Sequence, residues 1–461
     1  MLDRVREMMS GKRIVIVGFG LEGRSTFRFL REHVGNIPLA IADRDTKIAS
    51  NTEHEPGMER VEWILGPGYL DRLGRYDLLI RSPGIALPAA FRPSHPEMVI
   101  TSQAALVLAE YHRQIIGITG TKGKSTTSSL IHYILKSAGK KSILVGNIGK
   151  PPLDSILEAG PDSVLVYELS SHQLEDITRS PHISILLNLF PEHLDRYAST
   201  AEYYRAKWNI FMHRNPSDIL IINNSISSDH LPGKEIIGMG GVLTFGIGKS
   251  SGQGCYLESE KVVLYDNQCE EECCTLGPEL YLKGRHNRLN MMAAILACRQ
   301  EGATMEEIME GIRTFRGLEH RLEYVGCFGG IHFYNDSIAT IPEATMEAVR
   351  AIPDVDTLLL GGYDRGLEYD ELVNFLMASP VRNLVFMGRA GERMMGLASR
   401  HPLRPGHHLI KAAGMEEAFK IIPGITRAGS VCLLSPAAAS YDLYKNFEER
   451  GQLFKKTARN L

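Results

Sequence analysis

The sequence predicts an α/β protein of three successive units, each a mostly parallel β-sheet flanked by helices. Three observations carry this. Apolar runs of strand length recur along the chain, and each ends in a cluster of Gly, Ser, Asn, Asp or Pro. Stretches of helical periodicity alternate with them, which is the pattern of βαβ units and hence of parallel sheets. Finally, 461 residues are many for one hydrophobic core, and the length suggests roughly three domains.

Composition narrows the function classes. Apolar residues make up 44% and charged residues 23%, ordinary values for a water-soluble globular chain. A formal net charge of -3 argues against a nucleic-acid or membrane-surface binder. The 7 cysteines have no regular spacing, form no Cys-x-x-Cys pair and include the neighbours Cys273 and Cys274. They read as reduced thiols, not as a disulfide framework or a zinc site. The charged start lacks the apolar core of a signal peptide, and no apolar run reaches the length of a membrane span.

In the first unit, residues 12–17 form a strand and Gly18-Phe19-Gly20-Leu21-Glu22-Gly23 opens a helix behind it. A second strand, 39–42, ends at Asp43, near the distance at which an acidic residue meets a ribose. The unit is Rossmann-like, but the turn alone says only that a helix packs tightly and faces a phosphate. NAD and a nucleotide-sugar diphosphate both fit. Residues 76–81 read as the third strand, running into Ser82-Pro83-Gly84-Ile85 at a carboxyl end, where such sheets bind ligands. A plain Pro-Gly turn is an equally good local account.

The second unit opens on strand 115–118, then Gly120-Thr121-Lys122-Gly123-Lys124-Ser125-Thr126, then a helix with Leu130, Ile131, Ile134 and Leu135 on one face. This is the grammar of a nucleotide phosphate loop. Glycines turn backbone N–H groups toward anionic oxygens, Lys124 supplies a point charge, and Ser125 or Thr126 offers a hydroxyl to Mg²⁺. Ile118 stands where the longer form of the motif has glycine. Strands 142–145, 164–167 and 183–189 follow, ending in Gly146-Asn147-Ile148-Gly149, in Glu168-Leu169-Ser170-Ser171-His172-Gln173 and in Pro191-Glu192-His193-Leu194-Asp195-Arg196-Tyr197. In a parallel sheet those ends share one edge, so Glu168 and His193 are expected near Lys124 and able to hold Mg²⁺ directly or through water. Helix 201–211 carries Lys207, which its spacing alone makes a surface charge. Strand 218–222 and a Gly/Ser-rich loop, 246–254, come next. Asn287 and Asn290, three apart at a helix start, either cap that helix or contact a base, capping being the simpler local account.

The third unit follows a passage over residues 311–322. Its strands, 331–334, 357–360, 384–387 and 431–434, alternate with helices in a second Rossmann-like pattern. It has no glycine fingerprint, so it is expected to bring a co-substrate and not a second nucleotide.

Together these motifs resemble the Mur ligases of peptidoglycan synthesis, in order and spacing over essentially the whole chain. Residues 120–126 carry the superfamily mark; 168–171, 188–197 and 285–290 resemble the central-domain motifs, and 335–340 and 435–451 those of the third domain. The resemblance implies three domains, 1–101, 102–316 and 317–461. The first would bind the UDP of a muramoyl substrate, not NAD, through Gly18, Gly20, Gly23, Asp43, Ser82 and Gly84, with Asn147 also on that substrate. The central P-loop ATPase domain would bind ATP through Gly120, Thr121, Lys122, Gly123, Lys124, Ser125 and Thr126, with Asn287 and Asn290 near the adenine. Arg321 and Asp336 would reach the nucleotide, and Thr340, Arg365, Ser440 and Phe447 the incoming amino acid.

Two Mg²⁺ ions are implied, one on Ser125 and Glu168 and one on His193. Lys207 would be carbamylated, a carboxylate-like group that helps place the second ion. Lys124, His193 and Lys207 would be the catalytic residues. The implied reaction is ATP-dependent amide formation between UDP-N-acetylmuramoyl-L-alanine and D-glutamate through an acyl phosphate, by a cytoplasmic monomer. Ile338 stands where lysine is usual, and so does Arg365, so addition of L-glutamate to the same UDP substrate is the alternative. Residues 313–318 are the expected hinge.

Overall fold

The computed structural model describes residues 2–461 except 36, 53–55, 149, 195, 234–239 and 267–268, and leaves out the side chains of Asn51 and Glu59. Gly149 and Asp195, members of two expected loops, therefore lie outside the described residues. The chain forms two compact units, Met1–Gly277 with Leu289–Ile312, and Pro278–Arg288 with Arg313–Leu461. Among the described residues no helix is long and apolar enough to cross a membrane.

The first unit holds two sheets. One contains β1 (Ile14–Val17), β2 (Leu39–Asp43), β3 (Val61–Leu65), β4 (Leu78–Arg81) and β5 (Val99–Thr101), in the order β3-β2-β1-β4-β5 and parallel throughout. The chain goes from β1 to one side and comes back for β4 on the other. The carboxyl end of β1 is thus a topological switch point, and the 18–23 turn sits there. β3 and β5 are additions to the sequence reading; both are edge strands, one only partly buried and the other three residues long.

The second sheet contains β6 (Ile115–Thr119), β7 (Ser142–Gly146), β8 (Val164–Glu168), β9 (Ile183–Leu186), β10 (Ile219–Asn223), β11 (Gly241–Ile247), β12 (Gln253–Glu258), β13 (Lys261–Tyr265) and β14 (Glu270–Thr275). Its order is β14-β13-β12-β11-β10-β9-β6-β8-β7, parallel except for the antiparallel β12-β13-β14 ribbon. β6 lies between β8 and β9, making its carboxyl end a second switch point, and the phosphate-loop motif starts there. The expected 246–254 loop is shorter than the glycines suggested, since Gly246, Ile247, Gln253 and Gly254 belong to strands. A Cβ on Gly254 would overlap the Thr244 carbonyl, so that glycine permits close strand pairing and does not mark a turn. One hydrophobic cluster runs through both sheets, from Ile16, Ile41 and Ile80 to Tyr167, Leu174 and Leu186.

The second unit contains β15 (Glu323–Phe328), β16 (Ile331–Asn335), β17 (Val355–Gly361), β18 (Asn383–Met387), β19 (His408–Lys411) and β20 (Val431–Leu434). They run β15-β16-β20-β17-β18-β19, with only β15 antiparallel. β15 and β19, both absent from the sequence reading, are again the edges. Apolar clusters cover the two faces, one around Leu358, Leu360 and Leu433, the other around Phe333, Phe419 and Phe454. Three strand ends, those of β16, β20 and β17, lie side by side.

Candidate active site

At the first switch point the backbone is held by side chains named from the sequence. Asp43 accepts the Phe19 N–H at 2.8 Å through one carboxylate oxygen and the Asp45 N–H at 2.9 Å through the other. Ser82 Oγ donates to the Gly18 carbonyl at 2.7 Å. A Cβ on Gly23 would overlap that same carbonyl, whereas Gly20 and Gly84 face open space. Gly20 caps the helix Leu21–Phe29 and supplies no side-chain acceptor, leaving first-turn N–H groups for an anion. Glu22, in that first turn, points elsewhere. It accepts from Gln173 Nε2 at 2.7 Å, and burial raises its carboxyl to about 7.

A buried cluster that sequence reasoning missed joins this turn to the second sheet. The Arg81 guanidinium, at the end of β4, donates from Nε to Asp176 at 2.5 Å, and it reaches the Ile85 carbonyl at 2.7 Å, the His172 carbonyl at 3.0 Å and Glu175 at 3.0 Å. Arg92 also pairs with Asp176. An arginine ending an apolar strand was the available signal.

At the second switch point, Gly123 begins the helix Lys124–Ser137 with a φ of 85°, and a Cβ there would stand 2.5 Å from Asn290 Oδ1. Glycine is therefore required twice over, by the left-handed backbone and by the packing of Asn290. Asn188, which the sequence reading quoted without a role, pins the loop. Its Oδ1 accepts the Lys122 N–H at 2.8 Å and its Nδ2 donates to the Lys122 carbonyl at 2.9 Å. Thr121 exchanges two hydrogen bonds with Phe190, and Lys122 Nζ reaches Glu192 at 2.6 Å. Ser125 is half-buried and Thr126 buried.

Lys124 Nζ donates to the carbonyls of Gly120 at 2.9 Å and Thr121 at 3.0 Å. Lys207 Nζ donates to the same Gly120 carbonyl at 2.9 Å. Lys207 is thus no surface charge. The helix Thr200–Met212 turns it inward, where it is 1% exposed and 4.8 Å from the Tyr203 ring centre. Burial, and then the neighbouring Lys124, hold its ammonium well below the usual lysine range. Periodicity could not show this, because an aliphatic stem and a charged head satisfy either face of a helix until the neighbours are known.

Glu168 is 1% exposed; Oε1 accepts from Asn147 Nδ2 at 3.0 Å, while Oε2 is buried with no hydrogen-bond partner. A buried carboxylate oxygen left in this way fits a cation. Among the described residues no three of His, Cys, Asp and Glu gather to hold a metal. That suits Mg²⁺, which binds through one or two carboxylates and otherwise through phosphate and water. His193 has a φ of 58° and lies half-exposed, its ring 5.1 Å from His172 and 5.7 Å from Tyr203. Burial first, then Arg196, His193 and Arg81, push His172 down to about 3, so its imidazole is neutral.

In the second unit, Arg365 donates to the Thr340 carbonyl at 2.8 Å, bringing two of the named residues together. Ser440 is buried, and the Phe447 carbonyl accepts from Ser337 Oγ at 2.8 Å. Asp336 accepts from Ser435 Oγ at 2.8 Å and from the Leu322 N–H at 3.2 Å, and burial raises it to about 7. Arg321 Nε is buried with no hydrogen-bond partner. Asn287 is not a cap. It lies inside the helix Arg285–Gln300 and donates back to the Lys283 carbonyl at 2.8 Å. The residue overlooked here is Arg450, 1% exposed, whose guanidinium reaches Ser337 Oγ at 3.0 Å and the carbonyls of Ser337 at 2.8 Å, Ala438 at 3.1 Å and Gly361 at 3.4 Å. It ties together the loops that follow all three adjacent strands.

Comparison with known proteins agrees with this geometry. The Mur ligase middle domain matches residues 118–298, and the Mur ligase MurD-like N-terminal domain matches residues 12–96. UDP-N-acetylmuramoylalanine–D-glutamate ligase of Acetivibrio thermocellus is 32% identical over 100% of this chain and 99% of that protein. The protein of that name from Symbiobacterium thermophilum is 33% identical over 96% and 97%. Among solved structures, the UDP-N-acetylmuramate-alanine ligase of Thermotoga maritima superposes with a TM-score of 0.57 at 17% identity, over 97% of this chain and 99% of that one, which shows the shared fold. The MurF ligase of the same organism, solved with ADP, gives 0.56 at 16% identity over 97% and 98%. With full-length relatives at this identity and both domains matched in order, the chain belongs to the Mur ligase family.

Proposed function

We propose that the protein is an ATP-dependent ligase that joins D-glutamate to UDP-N-acetylmuramoyl-L-alanine through an acyl phosphate, in peptidoglycan precursor synthesis. One observation carries the chemistry: a phosphate loop whose Gly120 carbonyl holds both Lys124 and a buried Lys207, in the same unit as the unpartnered Glu168 Oε2. The full-length relatives named for D-glutamate addition support the substrate. None of those reported is named for L-glutamate, so that alternative is set aside.

A carboxylate is a poor electrophile and must first accept the γ-phosphoryl group of ATP. Both reactants are anions, and Lys124 offsets their repulsion while the loop's N–H groups orient the phosphates. Ser125 and Glu168 would hold one Mg²⁺ and His193 a second, supplying charge neutralisation during transfer. Burial disfavours the Lys207 ammonium, and its amine would add CO₂ and release a proton to become a carbamate, which would face the second ion as a carboxylate. Asn147, hydrogen-bonded to Glu168, would orient the muramoyl substrate. Thr340, Arg365, Ser440 and Phe447 would hold glutamate, Arg365 gripping a carboxylate bidentately. Asn287, Asn290, Arg321 and Asp336 would serve the nucleotide. The reading includes domain boundaries after residues 101 and 316, a hinge at 313–318 and a cytoplasmic monomer.

The test is phosphate release from ATP with Mg²⁺ and UDP-N-acetylmuramoyl-L-alanine, with D-glutamate or L-glutamate in separate reactions. Release with D-glutamate alone is expected; release only with L-glutamate overturns the substrate assignment. For Lys207, isotopically labelled bicarbonate should give a carbamate NMR signal that K207R lacks.

A further inference from the structure

The β12-β13-β14 ribbon plays no part in the ligase chemistry, and it carries an unusual pair. Val262 on β13 opposes Cys274 on β14, but the next residue, Val263, opposes Glu272. Cys273 is therefore the extra residue of a β-bulge. On a regular strand, adjacent side chains point to opposite faces. The bulge removes that alternation, and the Cys273 and Cys274 sulfurs lie 3.7 Å apart, both partly exposed.

A direct disulfide suits this pair badly. Neighbouring Cα atoms are about 3.8 Å apart, inside the roughly 4.4–6.8 Å span that ordinary disulfides use. A bridging cation has no such difficulty. With each sulfur about 2.3 Å from the metal, as for zinc thiolates, a 3.7 Å separation subtends about 107°, close to the tetrahedral angle. The Cys273 thiol donates to the Cys274 sulfur, and the Arg299 guanidinium lies within electrostatic reach of the pair. Of the three preceding acidic residues, Glu270 pairs with Lys249 and Glu272 with Lys261, and the Glu271 carboxylate adds negative charge beside the two sulfurs.

We infer that Cys273 and Cys274 form a bidentate site for a thiophilic cation of the zinc class. Two thiols lose their protons to solvent, two metal–sulfur bonds form, and water fills the remaining positions. Local sequence does not show this, because adjacent cysteines do not chelate on a regular strand and the bulge is visible only in the pairing register.

The experiment is a Cd²⁺ titration of the whole protein in a non-thiol reductant. A thiolate-to-cadmium ultraviolet band should saturate at one ion per chain, weaken in C273S and in C274S, disappear in the double variant and persist in C269S. A band of equal strength in the double variant, or none in the unaltered protein, overturns the proposal. Maleimide labelling of the unaltered protein gives a readout independent of any effect of mutation on folding. Cd²⁺ should protect Cys273 and Cys274 while the exposed Cys269 and Cys327 still react; labelling of the pair that ignores Cd²⁺ overturns it.

Discussion

The 18–23 turn and the 120–126 turn have the same construction: a buried parallel strand, a glycine turn at a switch point, then a helix N-terminus. They differ in charge. The first is organised by a carboxylate, Asp43, whose two oxygens are used on backbone N–H groups. The second is organised by an amide, Asn188, and gathers lysines, with Lys124 and Lys207 on one carbonyl and Lys122 beside them. Both turns can present N–H groups to an anion, but only the second sets lysine side chains beside them. On the proposed function, a shared backbone motif serves binding in one place and chemistry in the other. Which of the two it supports is decided by what the next loops contribute.

The comparison can be broken most sharply at Lys124. K124A should lower phosphate release by about two to three orders of magnitude, the usual effect of removing one group that stabilises the transition state. Binding of the UDP substrate should be unchanged, and near-normal turnover would mean that the second turn is no more catalytic than the first. Next is the cluster that joins the two sheets. D176A leaves the buried Arg81 with the partly exposed Glu175 as its carboxylate partner and should destabilise the protein by roughly 2–3 kcal/mol in chemical denaturation, less than the loss of an only partner. A loss under 1 kcal/mol would show that the sheets are held by apolar contacts alone.

A third, smaller effect separates the glycines of the first turn. G23A forces a methyl into the Gly18 carbonyl and should cost about 1–3 kcal/mol. G20A, facing open space, should leave stability unchanged and weaken UDP-substrate binding; equal stabilities for the two would refute the packing role of Gly23.

The smallest effect is a pH dependence. Glu22 is raised from 4.5 to about 7 by burial. Its protonated form is favoured in the folded state, so its contribution is complete below pH 4.5 and is lost as pH rises through about 7. E22Q removes that dependence. Relative to wild type, the variant should gain on the order of 1 kcal/mol between acid and mildly alkaline pH, part of the full linkage being offset at the helix N-terminus. Parallel denaturation curves for the two proteins across that range would rule out a buried Glu22 carboxyl.

The central strands were legible because both their faces are buried. β1 is an uninterrupted apolar run, β8 is apolar until Glu168, β6 is broken by Gly117 alone before Thr119, and β17 keeps the apolar stretch Leu358-Leu359-Leu360. The edges β3, β5, β15 and β19 and the strands β11 to β14 were not: they are partly solvated, short or both, so their composition resembles that of loops. The edge strand β7 was legible from its Ile143-Leu144-Val145 run. Among the site candidates, the glycine turns and the polar strand ends could be read because their local backbone requirements are written in local sequence. Asn188 and Arg450 could not, since each acts on backbone groups far along the chain that have no sequence signature, and Arg81 left only the mark of an arginine ending an apolar strand.

The sequence by itself determined the alternation of strand and helix, the place of both glycine turns and the family to which these motifs point. All of these follow from local patterns: burial periodicity, turn stereochemistry and motif spacing. Tertiary structure alone decided that Lys207 is buried beside Lys124, that Glu168 keeps one oxygen without a partner, that Arg81 joins two sheets and that a bulge brings two thiols together. Those outcomes depend on which neighbours desolvate a group and which strand register is adopted. Both are set by packing between segments far apart in the chain.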